Sequence, residues 1–223
     1  MESKYILILI LLLCGACAKS DLDDIVTLQE AMKKNDLDII EQYSRSGTTA
    51  NLRIHRNRAV FTSPLIVAAE NANLYAVKRL IEAGADINVT NSSGETPLIR
   101  TMLFDSHDSR LQVARRLLES GADVNAKDVN GSDALHNAVA YREPECVRLL
   151  LEAGADPKAV DLRGNTALHR AGSVTNVSIL LNAGVDPLRT NHAGQSALDV
   201  ARERKRAAVA QCFEQEIARL RSQ

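Results

Sequence analysis

Few side chains in this sequence have the types and the spacing that catalysis or metal binding requires. Asp105, His107 and Asp108 bring two carboxylates and an imidazole together in a short polar stretch, and such groups can bind a transition metal. They lie on a predicted loop, however, and no fourth ligand follows at a spacing that closes a site. There is also no glycine-rich phosphate loop, no nucleophile motif and no pair of catalytic acids. We therefore expect no metal, no cofactor, no small-molecule substrate and no catalytic residues.

The N-terminal residues have the pattern of an export signal. A short charged start is followed by an apolar run at residues 5–13 and then by small residues, which is typical of a secretory signal peptide. The run is too short to cross a membrane as a helix, which needs about 20 apolar residues. A buried N-terminal helix is the alternative, but the run shows no amphipathic periodicity. We predict a signal peptide at residues 1–17.

Cys17 is the candidate for covalent modification. Gly15-Ala16-Cys17 resembles the lipobox of bacterial lipoproteins, although Cys14 stands where that motif usually has an aliphatic residue. Ordinary signal-peptidase cleavage after Ala18 also fits, so both processing routes remain open. In the lipoprotein interpretation residues 18–24 are a tether, and the absence of Asp after Cys17 favours the outer membrane. We thus expect a periplasm-facing protein of the bacterial envelope, attached to the membrane by an N-terminal lipid anchor.

The composition predicts an aliphatic core and no nucleic-acid partner. Hydrophobic residues make up 45% of the 223 residues, aromatic residues only 3%, and there is no Trp. Leu, Ile, Val and Ala must therefore fill the core. The formal net charge is −1, which provides no basic field to attract nucleic acid.

The sequence repeats itself. Four stretches end in two aliphatic residues, Glu or Asn, a small residue, Gly, a small apolar residue and Asp; their glycines are Gly84, Gly121, Gly154 and Gly184, separated by 37, 33 and 30 residues. Five copies begin with Ser, Thr or Asp two residues before a Leu. Their first residues are Ser63, Thr96, Asp133, Thr166 and Ser196.

These recurring residue types predict pairs of helices. Ser, Thr and Asp can cap a helix start, and Pro64 and Pro97 then occupy the first helical position, where a missing N–H costs nothing. A Gly after each Leu-rich stretch can take the left-handed conformation that ends a helix. Each copy is therefore a short helix, a turn, a second helix and a polar turn. One copy cannot bury its apolar face alone, so the copies must stack.

The rhythm and the signature resemble the ankyrin repeat, and the whole chain is similar to small exported bacterial ankyrin-repeat lipoproteins. The resemblance implies an all-α solenoid of stacked helix-turn-helix units over residues 25–223, with capping repeats at both ends. The expected units are 25–57 (cap), 58–90, 91–127, 128–160, 161–190 and 191–223 (cap). The resemblance also implies that His136 and His169 tie neighbouring loops by hydrogen bonds.

Two basic stretches are interpreted as solvated surface. Residues 46–59 lack the repeat pattern and contain three arginines, so we predict an extended, irregular connection there. The run Arg202, Arg204, Lys205 and Arg206 alternates with glutamates, and we predict a solvent-facing part of the C-terminal cap.

The resemblance further implies a partner-binding surface on the concave face, formed by turn tips and first helices. Matching positions gives the candidates Glu70, Asn71, Ser92, Phe104, Val129, Asn130, Tyr141, Leu162, Arg163 and His192. Phe104, Val129, Tyr141 and Leu162 are apolar or aromatic, and aromatic residues are enriched in binding hot spots; packing inside the solenoid is the alternative for each. Phe104 and Tyr141 share one repeat position, and we predict that they anchor the partner.

Two functions fit these expectations. The first is an immunity protein that sequesters or inhibits one protein partner, a toxin secreted by neighbouring bacteria, as the likeness to small envelope proteins of this kind implies. The second is a periplasmic accessory or protective protein that supports a resident envelope enzyme. An enzyme is disfavoured because no catalytic constellation is present.

Overall fold

The computed structural model describes residues 30, 34, 40, 51, 54–57, 60–103, 108–140 and 144–222. Two short strands, β1 (Ile54–Asn57) and β2 (Val60–Thr62), pair antiparallel, with Ile54 opposite Thr62. The helices that follow are α1 (Pro64–Glu70), α2 (Leu74–Glu82), α3 (Pro97–Thr101), α4 (Asp108–Glu119), α5 (Ala134–Ala140), α6 (Pro144–Glu152), α7 (Ala167–Arg170), α8 (Val174–Asn182), α9 (Ala197–Glu203) and α10 (Ala207–Arg221).

The hairpin corrects one prediction. Residues 46–59 were expected to form an irregular connection, but 54–57 are a strand. The β-branched and aromatic residues Val60, Phe61 and Thr62 favour extended backbone, and they supply the partner strand. The hairpin leads directly into the cap of α1.

The helices form two layers. The first helices of successive units (α1, α3, α5, α7 and α9) contact one another in chain order, and so do the second helices (α2, α4, α6, α8 and α10). Within each unit the two helices also pack together. The all-α repeat solenoid is therefore confirmed, with the hairpin preceding its first unit.

The predicted caps are present at several helix starts. The hydroxyls of Ser63, Thr96 and Ser196 accept hydrogen bonds from the backbone N–H three residues on, and the carboxylate of Asp133 does the same for His136 at 2.9 Å. The four helix-ending glycines have the predicted positive φ, for example +91° at Gly154. A β-branched side chain would be strained at this φ.

Among the described residues the core is aliphatic, as the composition predicts, with one aromatic exception at the end. The leucine at one position of the first helices α1, α3, α5 and α7, such as Leu65 and Leu135, is at most 1% exposed, and leucines of the second helices such as Leu80 and Leu150 are fully buried. In the C-terminal cap Phe213 of α10 is fully buried. Burying these side chains provides the main favourable term for stacking.

Of the predicted N-terminal cap, residues 25–57, the structure describes residues 30, 34, 40, 51 and 54–57. Glu30, Lys34 and Ile40 are helical, and Ile40 is fully buried. Among the described residues no helix has the length and apolar content that membrane crossing needs. The signal segment, Cys17 and the tether lie outside these residues.

Candidate partner-binding groove

The polar turns between units stack tip against tip. The turn tips begin at Asn91, Asp128, Asp161 and Asn191. The residues that directly follow these four form a line that we call the tip row: Ser92, Val129, Leu162 and His192. The N–H of Val129 donates to the Ser93 carbonyl at 3.0 Å, that of Leu162 to Asn130 at 2.9 Å, and that of His192 to Arg163 at 2.9 Å. Main-chain hydrogen bonds therefore fix the spacing and the direction of the tip row.

Val129 and Leu162 are the exposed apolar members of this row. Val129 is 60% exposed and Leu162 is 69% exposed. Packing inside the solenoid is thus not what holds these two side chains in place. They lie on neighbouring turns and present adjoining apolar surface to solvent.

The two signature histidines, His136 and His169, also join neighbouring turns by hydrogen bonds. His136 is 1% exposed; its Nδ1 lies 2.8 Å from Oδ1 of Asp133, and its Nε2 lies 3.0 Å from the carbonyl oxygen of Asn165 in the next unit. His169 repeats the arrangement, with Nε2 3.1 Å from the carbonyl oxygen of Gln195. The role that the resemblance implied for these residues is confirmed.

An open groove of about 550 Å³ runs beside the tip row, between the turns and the first helices. The predicted residues Asn130, Leu162 and Arg163 line it, together with Leu103 and Ala140. The remaining lining is mostly polar or charged: Glu95, Asp128, Ser132, Asn137, Asp161, Asn165, His169, Arg170 and Arg204.

The centre of the groove is an ion pair between Asp161 and Arg170. Nη2 of Arg170 lies 2.9 Å from Oδ2 of Asp161 and 2.6 Å from Oγ of Ser132 in the preceding unit. Burial alone would raise the pKa of Asp161, but the hydrogen bonds from Arg170, Asn165 and Arg163 outweigh it and lower the pKa from 3.8 to about 2. Asp161 is therefore ionised at neutral pH and holds Arg170 in position.

Asn137 lies against this pair. Its side chain is on α5, only 4% of the residue is exposed, and Oδ1 accepts from Nη1 of Arg170 at 3.4 Å. Its Nδ2 has no hydrogen-bond partner among the described residues. A buried donor left unpaired costs about 1–3 kcal/mol.

Two further predicted site residues are engaged inside the chain. Oε1 of Glu70 lies 3.0 Å from Nη2 of Arg100, and Arg100 also pairs with Glu95 at 3.2 Å. Asn71 donates its Nδ2–H to the Val67 carbonyl at 2.8 Å, closing the end of α1. Contact with a partner would have to compete with these bonds or leave them intact.

The remaining sequence-based candidates fall in different places. Ser92, Asn130, Arg163 and His192 lie in the turns, and the last three are exposed. The predicted anchors Phe104 and Tyr141 lie outside the described residues, so their role stays a prediction. The same holds for Asp105 and His107 and for the side chain of Asp108; among the described residues no group of three or more potential metal ligands occurs.

The sequence interpretation missed part of the groove and misjudged one arginine. Arg206 was assigned to solvated surface, but its Nη1 donates to the carbonyls of Arg170 at 3.0 Å and Ala171 at 2.7 Å, which attaches the cap to α7. Asn137 and Arg170 were not singled out. The sequence did contain a signal for them. Asn137 and Arg170 directly follow the signature histidines and are polar, whereas the repeat that begins at Ser63 has the apolar Val67 at the same position.

Comparison with known proteins agrees with this geometry. The family model described as ankyrin repeats (3 copies) matches residues 28–128, 106–191 and 135–212. These overlapping matches run from residue 28 to residue 212 and so span well over half of the chain. No curated protein matches the sequence.

Proposed function

Because this chain belongs to the ankyrin-repeat family, whose repeats are protein-interaction modules, we propose that it binds one protein partner through the tip row and the groove. The family is generally a non-enzymatic scaffold. We propose further that the partner is an antibacterial toxin and that binding neutralises it in the bacterial envelope.

The exposed apolar pair in the tip row carries this proposal. Val129 and Leu162 are more than half exposed although the main chain on both sides of them is fixed by hydrogen bonds. Covering such a side chain contributes about 1.5–3 kcal/mol. The fixed turns reduce the entropy lost on binding, so the pair offers favourable contact area at a low ordering cost.

Substitution of both residues tests the binding surface. The double variant Val129→Asp, Leu162→Asp should weaken capture of the partner from an envelope extract by about 100-fold or more, since two apolar contacts are replaced by two buried charges. The unfolding midpoint should change little, because both side chains face solvent.

Leu188→Asp is the matched control, since Leu188 is 49% exposed but belongs to neither the tip row nor the groove. It should bind as the parent does. If the double variant binds normally, or if Leu188→Asp is equally impaired, the proposed surface is wrong.

Envelope attachment is supported by the apolar run at 5–13 and by Gly15-Ala16-Cys17. The parent should fractionate with membranes and Cys17→Ser should be released or mislocalised. If parent and variant are both soluble in the periplasm, lipidation is wrong and cleavage after Ala18 replaces it.

The immunity role is tested in living cells. A toxin gene should lie next to the gene for this chain, and its product, directed to the periplasm, should kill cells unless the parent is co-expressed. The double variant should fail to protect them, whereas Leu188→Asp should protect. Full protection by the double variant would separate immunity from this surface and contradict the proposal.

A further inference from the structure

We propose that a turn of the protein partner extends the tip row beyond His192. A main-chain N–H of this turn donates to the carbonyl oxygen of Ala193, and its backbone packs over Gly194. Ala193 and Gly194 are called the open tip site below. The inference rests on the proposed function and specifies which kind of chain segment the partner places at one end of the same surface.

The contact between the last two turns shows how such a segment is held. The N–H of His192 donates to the Arg163 carbonyl at 2.9 Å, and the same nitrogen lies 3.0 Å from the position that a Cβ on Gly164 would take. A hydrogen bond to the residue before the glycine and a backbone nitrogen over the glycine therefore occur together. Two earlier pairs of turns repeat both features, with Val129 over Gly94 and Leu162 over Gly131.

The last turn of the row has the same shape but is not covered. Oδ1 of Asn191 accepts from the N–H groups of Ala193 and Gln195, both at 3.0 Å, and φ of Gly194 is +73°, close to the +75° of Gly164. Among the described residues nothing beyond the two chain neighbours lies within 4 Å of a Cβ position on Gly194, and none donates to the Ala193 carbonyl. The turn therefore presents, already formed, the surface with which the preceding turns hold the next one.

The last unit does not carry the second link that joins repeats of this chain. In the unit before it, Nε2 of His169 lies 3.1 Å from the carbonyl oxygen of Gln195 in the next unit. Asp199 stands at the equivalent position, and its Oδ2 accepts from the N–H and the hydroxyl of Ser196 at 2.9 and 2.6 Å, within its own unit. A second copy stacked as a further repeat would lack the histidine bond, whereas a single turn of another protein needs only the open tip site.

The open tip site continues the surface proposed for binding. Leu162 is 69% exposed, and His192, Ala193 and Gly194, which lie beyond it along the row, are exposed as well. A partner that covers Leu162 therefore reaches the site without leaving the tip row. The turn is held by its own hydrogen bonds, so binding orders little of the chain. A main-chain donor also needs no particular side chain on the partner at this point.

A pair of cyclic peptides tests the site on the full-length protein in mild detergent. One contains Val-Asp-Leu-Arg-Gly-Asn-Thr, the sequence of the turn at residues 160–166, whose Leu N–H makes the tip-to-tip bond in the chain. The other has an ester oxygen in place of that Leu N–H. The backbone resonances of Ala193 and Gly194 are followed by NMR during titration. The amide peptide should shift them at about tenfold lower concentration than the ester peptide, which lacks the donor and places an oxygen against the carbonyl oxygen.

Gly194→Ala closes the site from the side of the protein. Its Cβ has open space in the free chain but takes the place of the incoming backbone, so binding of the amide peptide should weaken about tenfold. Gly184→Ala is the matched control, because Gly184 has a φ of +80° and equally open surroundings but follows α8, away from the turn tips. Both variants should lower the melting temperature similarly, since Ala is strained at positive φ, and only Gly194→Ala should lose peptide binding. The comparison of the two peptides on the parent needs no variant.

Three other results overturn the inference. Equal shifts with both peptides would exclude the bond to Ala193, and shifts confined to other turns would place the peptide elsewhere; the proposed function survives both. Self-association of the parent that Gly194→Ala abolishes would assign the site to a second copy of the chain instead of a partner.

The partner captured by the parent separates this inference from the proposed function. Gly194→Ala should weaken its binding about tenfold, and Gly184→Ala should not. If Gly194→Ala binds as the parent does while the double variant Val129→Asp, Leu162→Asp does not, only the open tip site is wrong. If both bind normally, the proposed function fails as well.

Discussion

Neighbouring repeats are joined by different side chains in the two halves of the solenoid. In the N-terminal half an asparagine of each long turn reaches the following unit: Nδ2 of Asn88 donates to the Gly121 carbonyl at 3.3 Å and its Oδ1 accepts from the N–H of Asp123 at 2.8 Å. Asn51 and Asn125 make equivalent pairs of bonds. In the C-terminal half Lys158 and Leu188 occupy the repeat position of these asparagines. There His136 and His169 join neighbouring units instead, through hydrogen bonds to the carbonyls of Asn165 and Gln195.

The two kinds of junction differ in burial and in charge state. The asparagine bonds are exposed, and an amide does not titrate. The histidine bonds are made by side chains that are 1% and 3% exposed, and burial lowers the pKa of His169. We therefore expect both C-terminal junctions to be more sensitive to truncation, and the junction made by His169 to be more sensitive to pH.

Removing a buried histidine should have the largest effect. His136→Ala deletes the bonds to Asp133 and Asn165 and leaves a cavity, and we expect the free energy of unfolding to fall by about 3 kcal/mol. In a solenoid the loss should appear first in the flanking units. Urea denaturation and hydrogen exchange measure the two effects, and a change below about 1 kcal/mol would refute the importance of this junction.

Truncating an exposed asparagine should have a smaller effect. Asn125→Ala removes two hydrogen bonds that water can partly replace, and we expect a loss of about 1 kcal/mol. The same urea experiment provides the comparison. A loss as large as that of His136→Ala would erase the proposed difference between the halves.

The pH dependence of the stability should be the smallest of the three effects, but it should distinguish the His169 junction from the asparagine junctions most clearly. Burial is the main cause that lowers the pKa of His169 below 6.5, so below this pH the unfolded state binds more protons than the folded state. Stability is fully present above about 6.5 and is lost as the pH falls towards the lower folded-state pKa.

Urea midpoints at pH 7.5 and 5.5 should show this fall in the parent and in Asn125→Ala, and less of it in His169→Gln. Asp161 should not contribute, because its window lies between 3.8 and about 2. An equal fall in His169→Gln would assign the pH dependence to another group.

The sequence predicted the parts of the fold that recur. Caps at Ser63 and Thr96 and the positive φ of Gly154 follow from local backbone needs that every unit shares, so repetition reveals them. The groove was harder, because Arg170 contacts Ser132 and Asn137, which lie 38 and 33 residues away. The hairpin and the contact of Arg206 with α7 occur once, so no repetition pointed to them.

The ladder of main-chain hydrogen bonds between the turn tips has a consequence for how the binding surface can diversify. Its donors and acceptors are all main-chain groups, from Val129 and Ser93 to His192 and Arg163, so these bonds do not depend on which side chains Val129, Leu162 and His192 carry. Specificity and stability are therefore separable at these three positions. Selection for a new partner can exchange these residues while the stack beneath them is conserved.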